Sequence, residues 1–297
     1  MKISGFSYIR NGFTYGYPFL QAVQSILPLC HEFVIAVGDS TDGTREAVVG
    51  LNSPKIKIVD TVWDENLRQN GKVFAQQANV ALDHLTGDWG FHIQADEVIH
   101  ENDLDNLFRL MRQHWEDERV EGLLLNFLNF YGSYQFVGNT RRWHRKEIRI
   151  VRNLPTIRSY RDSQGFRRYP SREGYENGDK GEKLRVKPAD ATVFHYSYVR
   201  PPALMQKKAK YFHSFWHDDE WIRQNVREGE FDYYEIDELA RFEGTHPRLM
   251  REIIAAQDWE FDVRRIRHRF TVRKKLLHLI EKRTGIRIGE YKNYQLI

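Results

Sequence analysis

The chain has 297 residues, enough for one large domain with an appendage or for two small ones. Its 41% hydrophobic and 29% charged residues exclude a disordered chain, and its single cysteine, Cys30, excludes an internal disulfide, a CxxC pair and a Cys/His zinc site. The net charge of +4 is uneven: residues 262–292 carry eleven Lys or Arg against three acids, a local +8 that leaves −4 for the rest.

In chain order, residues 2–10 read as a short strand and 18–29 as a helix, with Phe19, Ala22, Val23, Ile26 and Leu27 at helical spacing. EFVIAVG is a continuous apolar run of strand length. The DSTDGT that follows supplies turn and cap chemistry for a helix over 44–51. KIKIVDTVW is a third strand, 70–85 a strong helix, and GDWGFHIQADEVI a fourth strand that runs into acids. A helix over 104–118 and the strand GLLLNFLNFYG come next. Strands alternating with helices predict βαβ units around a mostly parallel sheet. Ligands of such sheets sit beyond the carboxyl ends of the strands, and here those ends carry Tyr8–Arg10, Asp39, Asp60 and Asp96–Glu97.

Residues 141–185 are polar and charged apart from the strand-like EIRIVRN, which predicts a loop across an active site. VKPADATVFHYSYV is a returning strand. After Pro201–Pro202 helices are expected over 203–216, 220–226, 248–257 and 264–282. The division is therefore a catalytic region over 1–200 and a helical region over 201–297 that ends in a basic amphipathic tail. The opening MKISGFSYI lacks the apolar core of a signal peptide, and the uncharged stretches 11–30 and 122–139 are too polar to span a bilayer. A cytoplasmic protein is expected, with the tail able to lie on the inner face of the membrane.

Four segments carry candidate chemistry, each with a plainer reading beside it. A strand ending in Asp96 and Glu97 concentrates negative charge that a hard cation would relieve; alternatively, Asp96 caps a turn and Glu97 is solvated. Asp39 in VGDSTDGT either accepts hydrogen bonds from a nucleoside or belongs to a capped loop. Lys72, after Gly71 at a helix start, suits a phosphate or is simply exposed. His195, among aromatics, is either packed or ligating.

STDGT at 40–44, GK at 71–72 with Asn79, TGDW at 86–89 and QADE at 94–97 together resemble the GT-A-fold family-2 glycosyltransferases over roughly the first 100 residues. The stretch 63–97 is similar to the subgroup that glycosylates lipopolysaccharide cores. The sequence departs from the pattern at Gln94, where the family has the first acid of its D-A-D motif, and at Val37 and Gly38, where it has paired acids. The resemblance implies an α/β GT-A (Rossmann-like) fold and an inverting hexosyl transfer. The donor would be a nucleoside-diphosphate sugar, with uridine diphosphate as the expected carrier, and the acceptor a hydroxyl of a glycan or lipid-linked saccharide. It implies a divalent cofactor, Mn²⁺ or Mg²⁺, held by Asp96, Glu97 and His195. Ser7, Arg10, Asp39, Lys72, Gln94, Ala95 and Asp96 would bind the donor. The general base would come from Asp162, Glu173 or Glu147, with Asp162 preferred for its place beside a glycine-containing turn. No nucleic-acid partner is expected, because the body of the chain is acidic. The rivals are a nucleic-acid- or membrane-binding protein on a degenerate scaffold, a sugar-nucleotide pyrophosphorylase and a two-carboxylate glycoside hydrolase. The pyrophosphorylase would need a Gly-rich loop where FSYIRNGFTYG stands.

Overall fold

The computed structural model describes residues 1–64, 67, 71–267 and 271–297. The first half runs β1 (Ile3–Ile9), α1 (Phe19–Ile26), β2 (Glu32–Val37), α2 (Thr44–Gly50), β3 (Ile56–Asp60), α3 (Lys72–Leu82), β4 (Trp89–His92), β5 (Glu97–Ile99) and α4 (Leu104–Gln113). The second half runs β6 (Gly122–Tyr131), β7 (Ser133–Gly138), β8 (Lys146–Arg152), β9 (Ile157–Ser159), β10 (Phe166–Arg168), α5 (Arg172–Glu176), β11 (Glu182–Tyr198), α6 (Pro202–His213), α7 (Asp219–Asn225), β12 (Leu239–Arg241), α8 (Arg251–Ala255), α9 (Val272–Thr284) and β13 (Tyr294–Leu296).

The central path of the sheet is β3-β2-β1-β4-β8-β6-β11-β10-β9. From β3 to β4 every pairing is parallel, with Phe6 opposite Val34 and His92. This is the 3-2-1-4 order of a Rossmann-like α/β sheet, as the alternating elements predict. Beyond β4 the sheet becomes mixed: β8 lies antiparallel to both β4 and β6, and β6 runs parallel to β11.

β2 is buried at every position because both of its faces are covered. Phe33, Ile35 and Val37 point to the side of α1, α2 and α4. Val34 and Ala36 point to Ala81 and Leu82 of α3. Each such buried side chain contributes roughly 1.5–3 kcal/mol relative to exposure. The STDGT turn ties two loops together. Asp42 accepts from the backbone nitrogens of Thr14 (2.7 Å) and Thr44 (3.1 Å), and the Thr44 hydroxyl accepts from Gly12 (2.7 Å).

Two sequence expectations need revision. Residues 141–185 are not one long loop: besides β8 they hold the β9–β10 hairpin, whose connection is 160–165, and α5. The stretch after 200 is not purely helical, since β12 pairs with β7 and β13 joins β11. The helix expected over 264–282 is a 3₁₀ turn at Val263–Arg265 and, after residues outside the description, α9.

Gly5 lies in mid-β1, and a Cβ there would come 2.4 Å from the Phe33 ring and 2.8 Å from the Cys30 sulfur. Gly5→Ala is expected to lower stability by about 1–3 kcal/mol through overpacking, read by urea denaturation. An unchanged midpoint would contradict this close contact.

Candidate functional site

After β4 the chain passes through Ile93–Gln94–Ala95–Asp96 and turns into β5, which folds antiparallel onto β11. Glu97 stands opposite His195, and the amide of Tyr196 donates to the Asp96 carbonyl at 2.8 Å. That pairing sets Asp96 Oδ1 at 3.6 Å from His195 Nε2.

A chain of hydrogen bonds fixes the histidine's protons. Asn129 donates its amide to the His144 carbonyl at 2.8 Å, so its oxygen faces His195 Nδ1, also at 2.8 Å. Nδ1 must therefore carry the proton, which leaves Nε2 as a bare lone pair. Burial lowers the His195 pKa against the pull of Asp96 and Glu97, so the ring is neutral near pH 7. Two acceptors thus face one another across 3.6 Å with no proton between them, which is a place for a cation. The other Asp96 oxygen lies 3.3 Å from the Lys208 ammonium, which also donates to the Ser197 carbonyl (2.9 Å) and hydroxyl (2.8 Å). Burial by itself would raise the Asp96 pKa; Lys208 and Arg200 outweigh it and hold the carboxylate ionised. Burial and Arg200 push the Lys208 ammonium downward, and Asp96 pulls it back.

Among the described residues no group of three or more His, Cys, Asp or Glu gathers around one point. Asp96 and His195 fit a divalent ion as a two-ligand protein site, the usual complement when phosphates and water fill the other positions. Glu97 does not belong to that set. It is fully buried, with Arg149 Nε at 2.8 Å from Oε2 and Arg149 Nη2 at 2.5 Å from Oε1, and Oε2 also accepts from the Gln94 amide. Glu97 opens β5 with its side chain in the core, whereas Asp96 lies in the preceding turn and, although buried, presents its carboxylate to His195 and Lys208. Breaking such a buried pair would strand a charge.

The remaining expected donor residues are unevenly placed. Arg10 grips Asp39 through two contacts of 3.0 Å, at the ends of β1 and β2, and Asp39 stays 40% exposed. Lys72 is exposed in the first turn of α3. Gln94 donates to the Ser163 carbonyl at 3.2 Å. Ala95 packs against the core. Ser7 is buried inside β1, two residues short of its end, and is not at the open edge.

The β9–β10 connection, 160–165, carries Asp162. Arg161 and Ser163 have φ of 55° and 62°, a left-handed turn held by contacts with Tyr8 and Gln94. Asp162 also packs against the start of α3: a Cβ on Gly71, itself at φ 64°, would meet the Asp162 Cβ at 2.8 Å. Asp162 Oδ1 is shielded and has no hydrogen-bond partner among the described residues, and burial raises its pKa. Glu147 Oε2 is likewise shielded and unpartnered. Burial pushes its pKa up to about 8, with Arg149 opposing and Glu97 and Asp162 adding to the rise. Glu173 is exposed on α5, whose Tyr175 bonds to Asn79 on the flank of α3, so Glu173 is removed from the candidate bases.

Sequence reasoning missed Lys208, Arg149 and Asn129. Lys208 had a readable signal: it falls in the stripe of Leu204, Met205 and Tyr211 on α6, continued by Phe215 just past the helix, at core spacing.

No protein-family model and no curated protein sequence matches the chain. Among solved structures, residues 1–349 of S. aureus TarS match with TM-score 0.41 and 14% identity, over 72% of this chain and 65% of that one. The match thus spans slightly less than two thirds of that TarS fragment. The complex of the same fragment with UDP-GlcNAc gives 0.39 and 15%, over 72% and 66%. Glucosyl-3-phosphoglycerate synthase from Mycobacterium tuberculosis, in complex with Mn²⁺, UDP and glucosyl-3-phosphoglycerate, gives 0.30 and 18%, over 44% of each chain. At these identities and TM-scores the likenesses assign no activity to this chain.

Glu147 has a consequence for stability. A carboxyl whose folded pKa lies near 8, against 4.5 when free, keeps its proton in the folded chain while the unfolded chain releases its own. Its contribution is fully present below about pH 4.5 and is lost as pH rises toward 8. Glu147→Gln is therefore expected to gain melting temperature over wild type progressively across that window, then to hold a constant difference above it. Parallel melting curves from pH 5 to 9 would contradict the shift.

Proposed function

We propose that the chain is an inverting, nucleotide-sugar-dependent glycosyltransferase that moves a hexosyl group from a nucleoside diphosphate, uridine diphosphate foremost, to a hydroxyl of a glycan or lipid-linked acceptor. The observation that carries this reading is the pair of Asp96 Oδ1 and the bare His195 Nε2, 3.6 Å apart at the carboxyl edge of a 3-2-1-4 sheet. A cation and the phosphates it binds are what such an arrangement accommodates.

Asp96 and His195 would hold a divalent ion, Mn²⁺ or Mg²⁺, which when bound supplies positive charge to the leaving diphosphate. Lys208 keeps Asp96 ionised and oriented, and Asn129 keeps the His195 lone pair directed at the same point. Lys72 and the start of α3 favour the diphosphate's negative charge, and Arg10 holds Asp39 at the nucleoside side. Gln94 takes the place of a first acid and would offer its amide to the ribose.

The acceptor hydroxyl attacks the anomeric carbon from the face opposite the diphosphate. The new C–O bond forms as the bond to the diphosphate breaks, and the diphosphate leaves with the electron pair. Asp162 accepts the hydroxyl proton. Glu147 is less suited, because a carboxyl with a pKa of about 8 is mostly protonated near pH 7. The tail provides a peripheral surface for a lipid-linked acceptor: α9 leaves Val272, Leu276 and Leu279 exposed beside its basic residues.

Asp96→Ala is expected to weaken Mn²⁺-dependent binding of the nucleotide by at least about tenfold in calorimetry across a panel of UDP, GDP, CMP and dTDP sugars. Equal affinity in the variant would refute the role of Asp96. Asp162→Asn is expected to lower turnover by about 10²–10⁴-fold while nucleotide affinity stays at the wild-type value. Near-normal turnover would remove Asp162 from the reaction.

A further inference from the structure

Between residues 141–147 and the C-terminal segment 287–296 lies a cavity of about 510 Å³, a size that suits a small-molecule ligand. Six cationic side chains line it against two acids, Glu147 and Glu290. The six divide into two groups with different roles.

Arg141, Arg145 and Arg287 build the wall. Arg287 is buried and donates to the Trp143 carbonyl (2.6 Å), the Thr140 carbonyl (3.0 Å) and Glu281 (2.5 Å). Arg141 and Arg145 lie 3.9 and 3.6 Å from the same Glu281, and Arg145 lies 3.5 Å from Glu290. These contacts pin the C-terminal segment to the 140–145 segment and use up the carboxylates on that side. Arg142, Lys146 and Lys292 are the second group. They are exposed and have no carboxylate partner among the described residues. Three unneutralised cations on one concave wall favour an anionic ligand.

The cavity also adjoins the site already described. Glu147 lines it and abuts the β9–β10 connection that carries Asp162: a Cβ on Gly165 would come 3.0 Å from Glu147 Oε2. His144 lines it too, with its ring 5.9 Å from that of His195. His144 and Glu147, which line the cavity, are where it borders that site; Asp96 and His195 do not line it themselves.

We propose that this cavity is the acceptor subsite and that it takes a saccharide bearing a phosphate or carboxylate group, whose charge is met by Arg142, Lys146 and Lys292. The inference rests on the glycosyl-transfer reading and adds the acceptor's chemical class to it.

The test is calorimetric titration at low salt with glucose 6-phosphate, glucuronic acid and glucose, into wild type and into Lys146→Ala/Lys292→Ala. UDP with Mn²⁺ is titrated into both proteins in parallel. The charged sugars are expected to bind wild type at least about tenfold more tightly than glucose, and the double variant to lose about tenfold of that affinity while its UDP affinity is unchanged. Equal binding of glucose, or undiminished binding of the charged sugars by the double variant, would overturn the proposal. Vesicles of phosphatidylglycerol that displace glucose 6-phosphate from wild type would assign the cavity to a lipid headgroup and overturn it as well. Failure of UDP to bind wild type would instead count against the transfer reading, separately from the result with the charged sugars.

Discussion

The antiparallel return of β5 onto β11 is the constraint on which the site depends. It joins two stretches of chain about 100 residues apart and places Asp96 beside His195 through one backbone hydrogen bond, Tyr196 to Asp96, at 2.8 Å. The same register sends Glu97 the other way, into a fully buried fork with Arg149 of β8. One strand pairing thus sorts two neighbouring acids into different jobs. Asp96, buried in the turn before β5, faces His195 and Lys208, and Glu97 locks β8, and with it Glu147, against the parallel half of the sheet.

Charge compensation around this pairing is layered. Glu97 is met by Arg149, which also stacks over Phe127 at 4.9 Å. Asp96 is met by Lys208, which the stripe of α6 carries in from the far end of the chain. What stays uncompensated is the lone pair of His195 and the carboxylate oxygen facing it, together with the shielded oxygens of Asp162 and Glu147. The site is therefore a place where negative groups and acceptors collect without enough protein cations, next to a cavity where cations collect without enough acids. An electrophilic, phosphate-bearing donor on one side and an anionic acceptor on the other would balance both.

Much of the parallel half was legible in the sequence. Apolar runs such as EFVIAV and helices such as that of Val73, Ala78 and Leu82 have clear periods, and each period follows from the face that must be buried. The hairpin of β9 and β10 was not, because its strands are three residues long, with Ile157 and Phe166 as isolated apolar anchors in a charged stretch. At the site, the sequence offered Asp96 from its place at a strand end and His195 from a strand of aromatics. Glu97 misled because adjacency in sequence suggested shared duty, whereas the chain passes from a turn at Asp96 into β5 at Glu97 and sends the two side chains different ways. Lys208 was hidden by its residue type: a lysine in a helix reads as solvated unless its place in the apolar stripe is noticed. Arg149 and Asn129 depend on strand pairings that no local pattern encodes.

The central claim is that Asp96 and a neutral His195 share one cation with a nucleoside diphosphate. The most direct measurement is pulsed electron paramagnetic resonance of Mn²⁺ with UDP and the protein. The account predicts a nitrogen coupling from one imidazole in wild type that disappears in His195→Gln while Mn²⁺ remains bound. A Mn²⁺–UDP complex on wild type without any histidine nitrogen coupling, or a coupling that persists in His195→Gln, would contradict it.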